Sequence, residues 1–172
     1  MTALEVVRFG ALTAGARAQL VDGEADPFDS ARIGLAFRPK DRHVGLREPD
    51  GRLVASAGLV EAQIAAAGRR VAIVGVGGVI VRADRRGTGL ARRVLEELLV
   101  DARALGPPFA LLFCHENRAG LYERLGFARV RAPVEVEQDS GAVPMPLVTM
   151  SLALSPGARW PRGPIRLLGA PF

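Results

Sequence analysis

The densest chemistry in the sequence lies between residues 75 and 91, Gly75-Val76-Gly77-Gly78-Val79-Ile80-Val81-Arg82-Ala83-Asp84-Arg85-Arg86-Gly87-Thr88-Gly89-Leu90-Ala91. Gly87 and Gly89 permit positive φ and let backbone approach a ligand closely. They stand just ahead of a segment with helical periodicity. The free N–H groups and the positive dipole end of a starting helix together make an anion site. Arg92 and Arg93 oppose that dipole in an isolated helix, and a bound phosphate reverses the sign. The turn is not a Walker loop, because no Gly-Lys-Ser/Thr follows. It is not a dinucleotide fingerprint either, since the strands before it read as antiparallel. Three glycines, Gly75, Gly77 and Gly78, in a β-branched strand imply a bulge, a close backbone approach or relief of crowding under a helix. A bulged strand leaves N–H groups free to stabilise a developing oxyanion, typically by a few kcal/mol.

Few other side chains can do chemistry. Tyr122 is the only tyrosine and sits in a short amphipathic segment with Leu121 and Leu125. The strand Val71–Val81 has no ionisable side chain, so a general base must come from elsewhere: Glu61, His115 or His43. An imidazole with a pKa near 6.5 suits that task at neutral pH. Cys114 is the only cysteine, which excludes an internal disulfide and a thiolate metal cluster. No metal site is expected, and a thiol in an apolar strand reads as an inert core residue.

These groups need positioning elements. Leu4–Phe9 reads as a strand, Thr13 as the cap of a helix through Val21, and 22–41 as loop with an irregular helical turn. The hairpin signal Glu48-Pro49-Asp50-Gly51-Arg52 joins strands at His43–Arg47 and Leu53–Gln63. A second turn at Ala66-Gly68-Arg69 leads into Arg70–Val81. Apolar residues at 90, 91, 94, 95, 98, 99, 102 and 105 predict a helix over Gly89–Leu105, closed by Gly106-Pro107-Pro108. Strand Phe109–Cys114, helix Asn117–Leu125, strand Phe127–Val136 and strand Leu147–Leu154 follow. Six of the 12 prolines lie beyond residue 143, so the tail from Ser155 reads as extended. An antiparallel meander followed by strand–helix–strand–helix–strand implies a mixed sheet with helices packed against it.

The chain has 172 residues, 49% hydrophobic and 24% charged, which fits one domain with an ordinary core. The longest apolar run, Val71–Val81, is shorter than the roughly 20 residues a membrane helix needs. With no signal-peptide pattern at Met1–Glu5, a soluble, cytoplasmic protein is expected. The net charge is +5, and of 23 basic residues only Lys40 is a lysine. Such an arginine bias looks like high-GC, bacterial coding. Residues 69–93 hold seven arginines against Asp84, a local +6, and the remainder sums to about −1. One anion site would account for the whole excess. With 5% aromatic residues and concentrated charge, a nucleic-acid surface is not expected.

Two motifs resemble the GNAT acetyltransferase superfamily. Arg86-Gly87-Thr88-Gly89-Leu90-Ala91 meets its Gln/Arg-x-x-Gly-x-Gly/Ala signature. Tyr122-Glu123-Arg124-Leu125-Gly126-Phe127 meets a second signature, a helix ending in Tyr-Glu-x-Leu-Gly-Phe. The likeness covers residues 3–154. It implies an α+β fold, a mixed and largely antiparallel sheet of about six or seven strands with helices on both faces. It also divides the chain into a domain at 1–154 and an extended tail at 155–172. By the same resemblance acetyl-CoA is the cosubstrate, and Arg86, Gly87, Thr88, Gly89, Leu90 and Ala91 hold its pyrophosphate. Val79, Ile80 and Val81 pair with the pantetheine arm, and Tyr122 is the general acid for the leaving thiolate. His115, where many relatives carry Asn, or Glu61 is the candidate base.

Within the superfamily, Val81-Arg82-Ala83-Asp84-x-Arg86-Gly87 and Arg159-Trp160-Pro161-Arg162-Gly163 resemble aminoglycoside 2'-N-acetyltransferases. Gly77 and Arg159 replace acids of that pattern, and Arg159, Arg162 and Arg166 would repel a polycation. The expected acceptor is therefore another primary amine, on a small molecule or peptide terminus, with a negatively charged one among the candidates. The alternatives are an aminoglycoside acetyltransferase and a non-catalytic acyl-CoA sensor. Trp160 and Phe172 read as anchors on the core or on a partner copy in a homodimer. The C-terminal carboxylate of Phe172 is a further candidate base, though nothing in the spacing supports it.

Overall fold

A computed structural model describes residues 3–172. Thr13 caps α1 (Ala14–Val21), its Oγ1 accepting from the Ala16 amide at 3.2 Å. Strands β1 (Glu5–Phe9), β2 (Arg42–Arg47), β3 (Leu53–Ala66) and β4 (Arg69–Val81) run as the expected antiparallel meander. The β3–β4 turn puts both Ala67 and Gly68 at positive φ, the twist that a two-residue hairpin needs. Helix α2 (Leu90–Leu105) then returns the chain to β5 (Phe109–Cys114), which lies parallel to β4.

Neighbouring residues of a strand point to opposite faces, and that alternation separates the helices. Val74 and Val76 of β4 and Ala57 and Leu59 of β3 pack under α2, in one core cluster with Val94, Leu95 and Leu98. The irregularity near Gly78 reverses the alternation, so Ile80, an even number of residues from Val76, packs on the other face with Leu20 of α1. Helices thus cover both faces of a mixed sheet, as expected.

The second half departs from the sequence reading in three places. The expected helix over 117–125 is a 3-10 turn, Glu116–Arg118, followed by α3 (Ala119–Glu123). The single strand expected over 127–136 is two: β6 (Ala128–Arg129) and β7 (Val134–Gln138). Pro133 lies between them, and a residue without an N–H that constrains its predecessor breaks a ladder. Among the described residues the sheet has ten strands rather than six or seven, because of that split and because β8 (Gly141–Pro144) and β10 (Ile165–Leu167) join the expected β9 (Val148–Ala153). The tail is extended, but it is not an appendage. β10 runs antiparallel to Ile64–Ala66 of β3 and parallel to β7. It buries Ile165, Leu167 and finally Phe172 in a second core cluster.

Candidate active site

Two features meet at the end of β4. The first is a wedge. β4 pairs with β5 only from Ile73 to Val76, opposite Phe109–Leu112. Beyond Val76 it keeps β3 alone, and the β3 register shifts between Ser56 and Gly58. Gly78 stands at this bulge with φ +59°, a conformation open mainly to glycine. The β5 side of Gly77–Val81, which includes Val79, Ile80 and Val81, is left without a strand partner.

The second is the turn after β4. Gly87 and Gly89 have φ of +76° and +81°, and a Cβ at either would meet nothing within 4 Å. The glycines therefore serve backbone conformation rather than space. Gly89 begins α2 without a side-chain cap, and the first intrahelical bond runs from the Arg93 amide to the Gly89 carbonyl, 3.1 Å. Among the described residues, the six amides from Gly87 to Arg92 find no acceptor in the chain. Consecutive free amides at a positive dipole end make an anion nest. Arg86, Gly87, Thr88, Gly89, Leu90 and Ala91 thus form one surface, with the Thr88 hydroxyl tied to the Arg85 carbonyl.

The charge around the nest is smaller than the sequence implies. Arg69 and Arg70 lie at the far end of the 13-residue strand β4, about 40 Å away at a strand's rise per residue. Arg82 is buried and fully engaged, with Asp84 at 3.0 Å, Asp22 at 2.9 Å and the Gln19 carbonyl at 2.7 Å. Arg85 shares Glu48 with Arg52. Arg86 pairs with Glu24 and donates to the Val81 carbonyl at 3.1 Å. Hydrogen bonds from these guanidiniums hold the Glu24, Glu48 and Asp84 carboxyls below their usual range. A single anion spot does not explain the local excess of arginine, because acids from two distant segments, Asp22 and Glu24 from a loop and Glu48 from a hairpin, pair with Arg82, Arg86 and Arg85. The amides and helix dipole carry the attraction instead.

Across the wedge, α3 sets Tyr122 beneath Cys114, almost buried and edge-on to Phe127 at 6.0 Å. Burial pushes its phenol well above the usual pKa, so it stays protonated. Burial also raises the Cys114 thiol to about 11, and its Sγ rests 3.8 Å from Met150 Sδ. That thiol is inert, as expected. His115 leaves β5 with Nε2 donating to the Phe28 carbonyl at 3.2 Å, which pins the 22–41 loop and leaves Nδ1 free. Glu61 is not brought to this group. It is exposed, 4.0 Å from Arg42, and lines a surface hollow with Leu105 at the opposite end of α2 from the nest.

The face of β3 and β4 opposite α2 carries a trough that sequence reading missed. Its floor is Gly58, Gly75 and Gly77. A Cβ on Gly75 would strike the Phe172 ring at 2.6 Å, and one on Gly77 would meet Lys40 Cε and the Phe172 carbonyl carbon, each at 2.7 Å. These two glycines do relieve crowding, though under Phe172 and Lys40 rather than under a helix. His43 walls the trough at Gly58, with Cδ2 3.0 Å from a Cβ placed there. Its Nδ1 donates to the Gly10 carbonyl at 2.5 Å and its ring stacks on Phe9 at 5.3 Å. Burial lowers its pKa, so the imidazole is neutral with Nε2 available to accept. Phe172 continues against Phe113 at 5.3 Å, and Trp160 meets Phe109 edge-on at 5.1 Å. Both tail aromatics anchor on the chain's own core. The available signal for the trough was the lone lysine in an arginine-biased chain.

A domain model described as acetyltransferase (GNAT) domain matches residues 25–130. No curated protein matches the sequence. Among solved structures, the GNAT family N-acetyltransferase YhbS from Escherichia coli in complex with CoA is 16% identical, with TM-score 0.66, covering 99% of this chain and 96% of that one. The yncA structure from Salmonella typhimurium with acetyl-CoA is 19% identical, with TM-score 0.59 and coverage of 92% and 98%. N-acetylglutamate synthase from Neisseria gonorrhoeae, complexed with coenzyme A and N-acetyl-glutamate, is 16% identical with TM-score 0.58, covering 88% of this chain and 35% of that one. At these identities the likeness is one of fold.

Proposed function

Because the chain belongs to the acetyltransferase (GNAT) family, we propose that it moves an acetyl group from acetyl-CoA directly to a primary amine of a small molecule or peptide terminus. The observation that carries this reading is the coincidence, at one end of β4, of the free amides at 87–92 with the wedge beside Gly78. Acetyl-CoA supplies the activated acyl carbon as a thioester.

The chain's own groups do the rest. The amides of Gly87–Ala91 receive the pyrophosphate, and the unpartnered edge at Val79–Val81 orients the pantetheine. Backbone N–H groups at the bulge face the thioester oxygen, stabilising negative charge as it develops. Tyr122, held protonated by burial, gives its proton to the departing sulfur; the same desolvation raises the thiolate's affinity for it. The acceptor enters as an ammonium and must lose a proton. His43, kept neutral by burial, through Nε2 and His115 through Nδ1 are the acceptors at hand, and Glu61 is too remote. The trough presents Lys40 and Arg17 with no Asp or Glu side chain of the described residues paired to either, which favours an acceptor with its own negative charge over a polycationic aminoglycoside.

Thermal stabilisation by CoA, and not by ATP or NAD, is the first test. Thiol release from acetyl-CoA with a panel of amino acids, peptide N-termini, polyamines and aminoglycosides is the second. Stabilisation with no turnover across the panel would favour an acyl-CoA sensor. Absence of stabilisation would remove the reading altogether.

A further inference from the structure

Lys40 is the only lysine of the chain, and it lies in the trough instead of reaching into solvent. Its stem covers three glycines. A Cβ at Gly58 would stand 2.7 Å from Lys40 Cβ and Cγ, and one at Gly77 would stand 2.7 Å from Cε. At Gly78, the bulge residue itself, the same construction stands 3.9 Å from Nζ. The amine is therefore beside the point where β4 has left β5 and slipped register against β3. That is also where the thioester carbonyl belongs on the reading above. No Asp or Glu side chain of the described residues lies within ion-pair distance of Nζ. The groups that face it are Arg17 from α1, the neutral His43 from β2 and the main-chain carboxyl group of Phe172 from the tail. Asp41, next along the chain, turns to Arg38 at 3.7 Å.

We propose that Lys40 is an acetylation site of the protein itself, its Nζ taking the acetyl group from acetyl-CoA held in the β4–β5 wedge. The inference rests on the acyl-CoA reading of that wedge. The neutral amine attacks the thioester carbonyl carbon, the new C–N bond forms and the C–S bond breaks. One amine proton ends on the sulfur, so the products are an acetyl-lysine amide and free CoA thiol, with no further reactant. Burial, with Arg17 adding to it, lowers the amine to about 8. Roughly a tenth of it is then unprotonated at pH 7, far more than for an ordinary lysine near 10.4. An amide is too stable to relay the acyl group onward. The modification instead removes the cation from the trough and adds bulk to it, closing the acceptor side.

The test is incubation of the purified protein with acetyl-CoA in an amine-free buffer, read by intact mass and peptide mapping, with CoA-dependent thermal stabilisation measured on the same sample. The expected result is a gain of one acetyl mass at Lys40. It should form about tenfold faster at pH 9 than at pH 7, and much more slowly in heat-unfolded protein, where the ordinary lysine pKa returns. Lys40→Arg keeps stem and charge, so it should fold, bind CoA and stay unmodified at 40. Stabilisation by CoA without modification of Lys40 overturns the proposal alone, as does equal reaction of folded and unfolded chain. No stabilisation by CoA overturns the acyl-CoA reading and this inference together.

Discussion

Substituting Gly89 by alanine separates what the turn contributes by shape from what it contributes by contact. A Cβ at Gly89 meets no heavy atom within 4 Å, so the change introduces no clash. It does place an L-residue at φ +81°, which costs about 1–2 kcal/mol. The free protein can evade that cost by letting the turn relax, because the amides at 87–92 are tied to nothing that would hold them. Binding the pyrophosphate would restore the strained conformation, and the strain then appears as lost affinity. The ceiling is the strain itself, a Kd for CoA raised about 5- to 30-fold. If the turn instead keeps its shape in the free protein, the cost appears as stability, a Tm lower by roughly 2–8 °C for a chain of this size. Calorimetric titration with CoA and a thermal melt on the same variant measure both, and the two losses should sum to the strain. A variant with unchanged Kd and unchanged Tm would refute the claim that positive φ at Gly89 builds the site.

Tyr122→Phe removes only a hydroxyl that no protein group holds. Stability and CoA affinity should therefore stay close to wild type while kcat drops about 100-fold; an unchanged kcat would make the ring a core residue and nothing more. Glu24→Gln frees Arg86 from its ion pair, and CoA should bind more tightly, by no more than about fivefold as befits an exposed pair, with the gain vanishing at high salt. Gly75→Ala drives a methyl into the Phe172 ring and should destabilise by about 1–3 kcal/mol, the usual range for overpacking. Urea denaturation would measure it. His43 has a lowered folded pKa because burial disfavours its charge, so the unfolded chain binds its proton more readily. Stability from this group is full above about pH 6.5 and falls as pH drops below it; the Tm of His43→Gln should lose that dependence, and a parallel profile would exclude the histidine.

What the sequence disclosed follows from the range over which each signal acts. The glycines of the turn, the Thr13 cap, the Asp50-Gly51 hairpin and the helical stripe of α2 depend on residues within a few positions of one another, and each lies where the local pattern puts it. The charge around the turn does not work that way. Arg82, Arg85 and Arg86 are consecutive features of one segment, but Asp22, Glu24 and Glu48 reach them from a loop and a hairpin that only the folded sheet brings close. A count over a window cannot see such partners, and it overstated the free charge. The acceptor side was hidden for the same reason. Gly75 and Gly77 can be read as a strand with missing side chains; what fills the missing volume is Lys40 from a loop and Phe172 from the segment after the last strand. Their arrival depends on β10 entering the sheet beside β3, a pairing across about a hundred residues with a three-residue strand too short to show a period. The glycine turn and its free amides are local and legible in the sequence, whereas the trough on the opposite face is assembled by tertiary contacts. On the proposed reading, the choice of acceptor is accordingly a question for the trough that Lys40, His43 and Phe172 enclose.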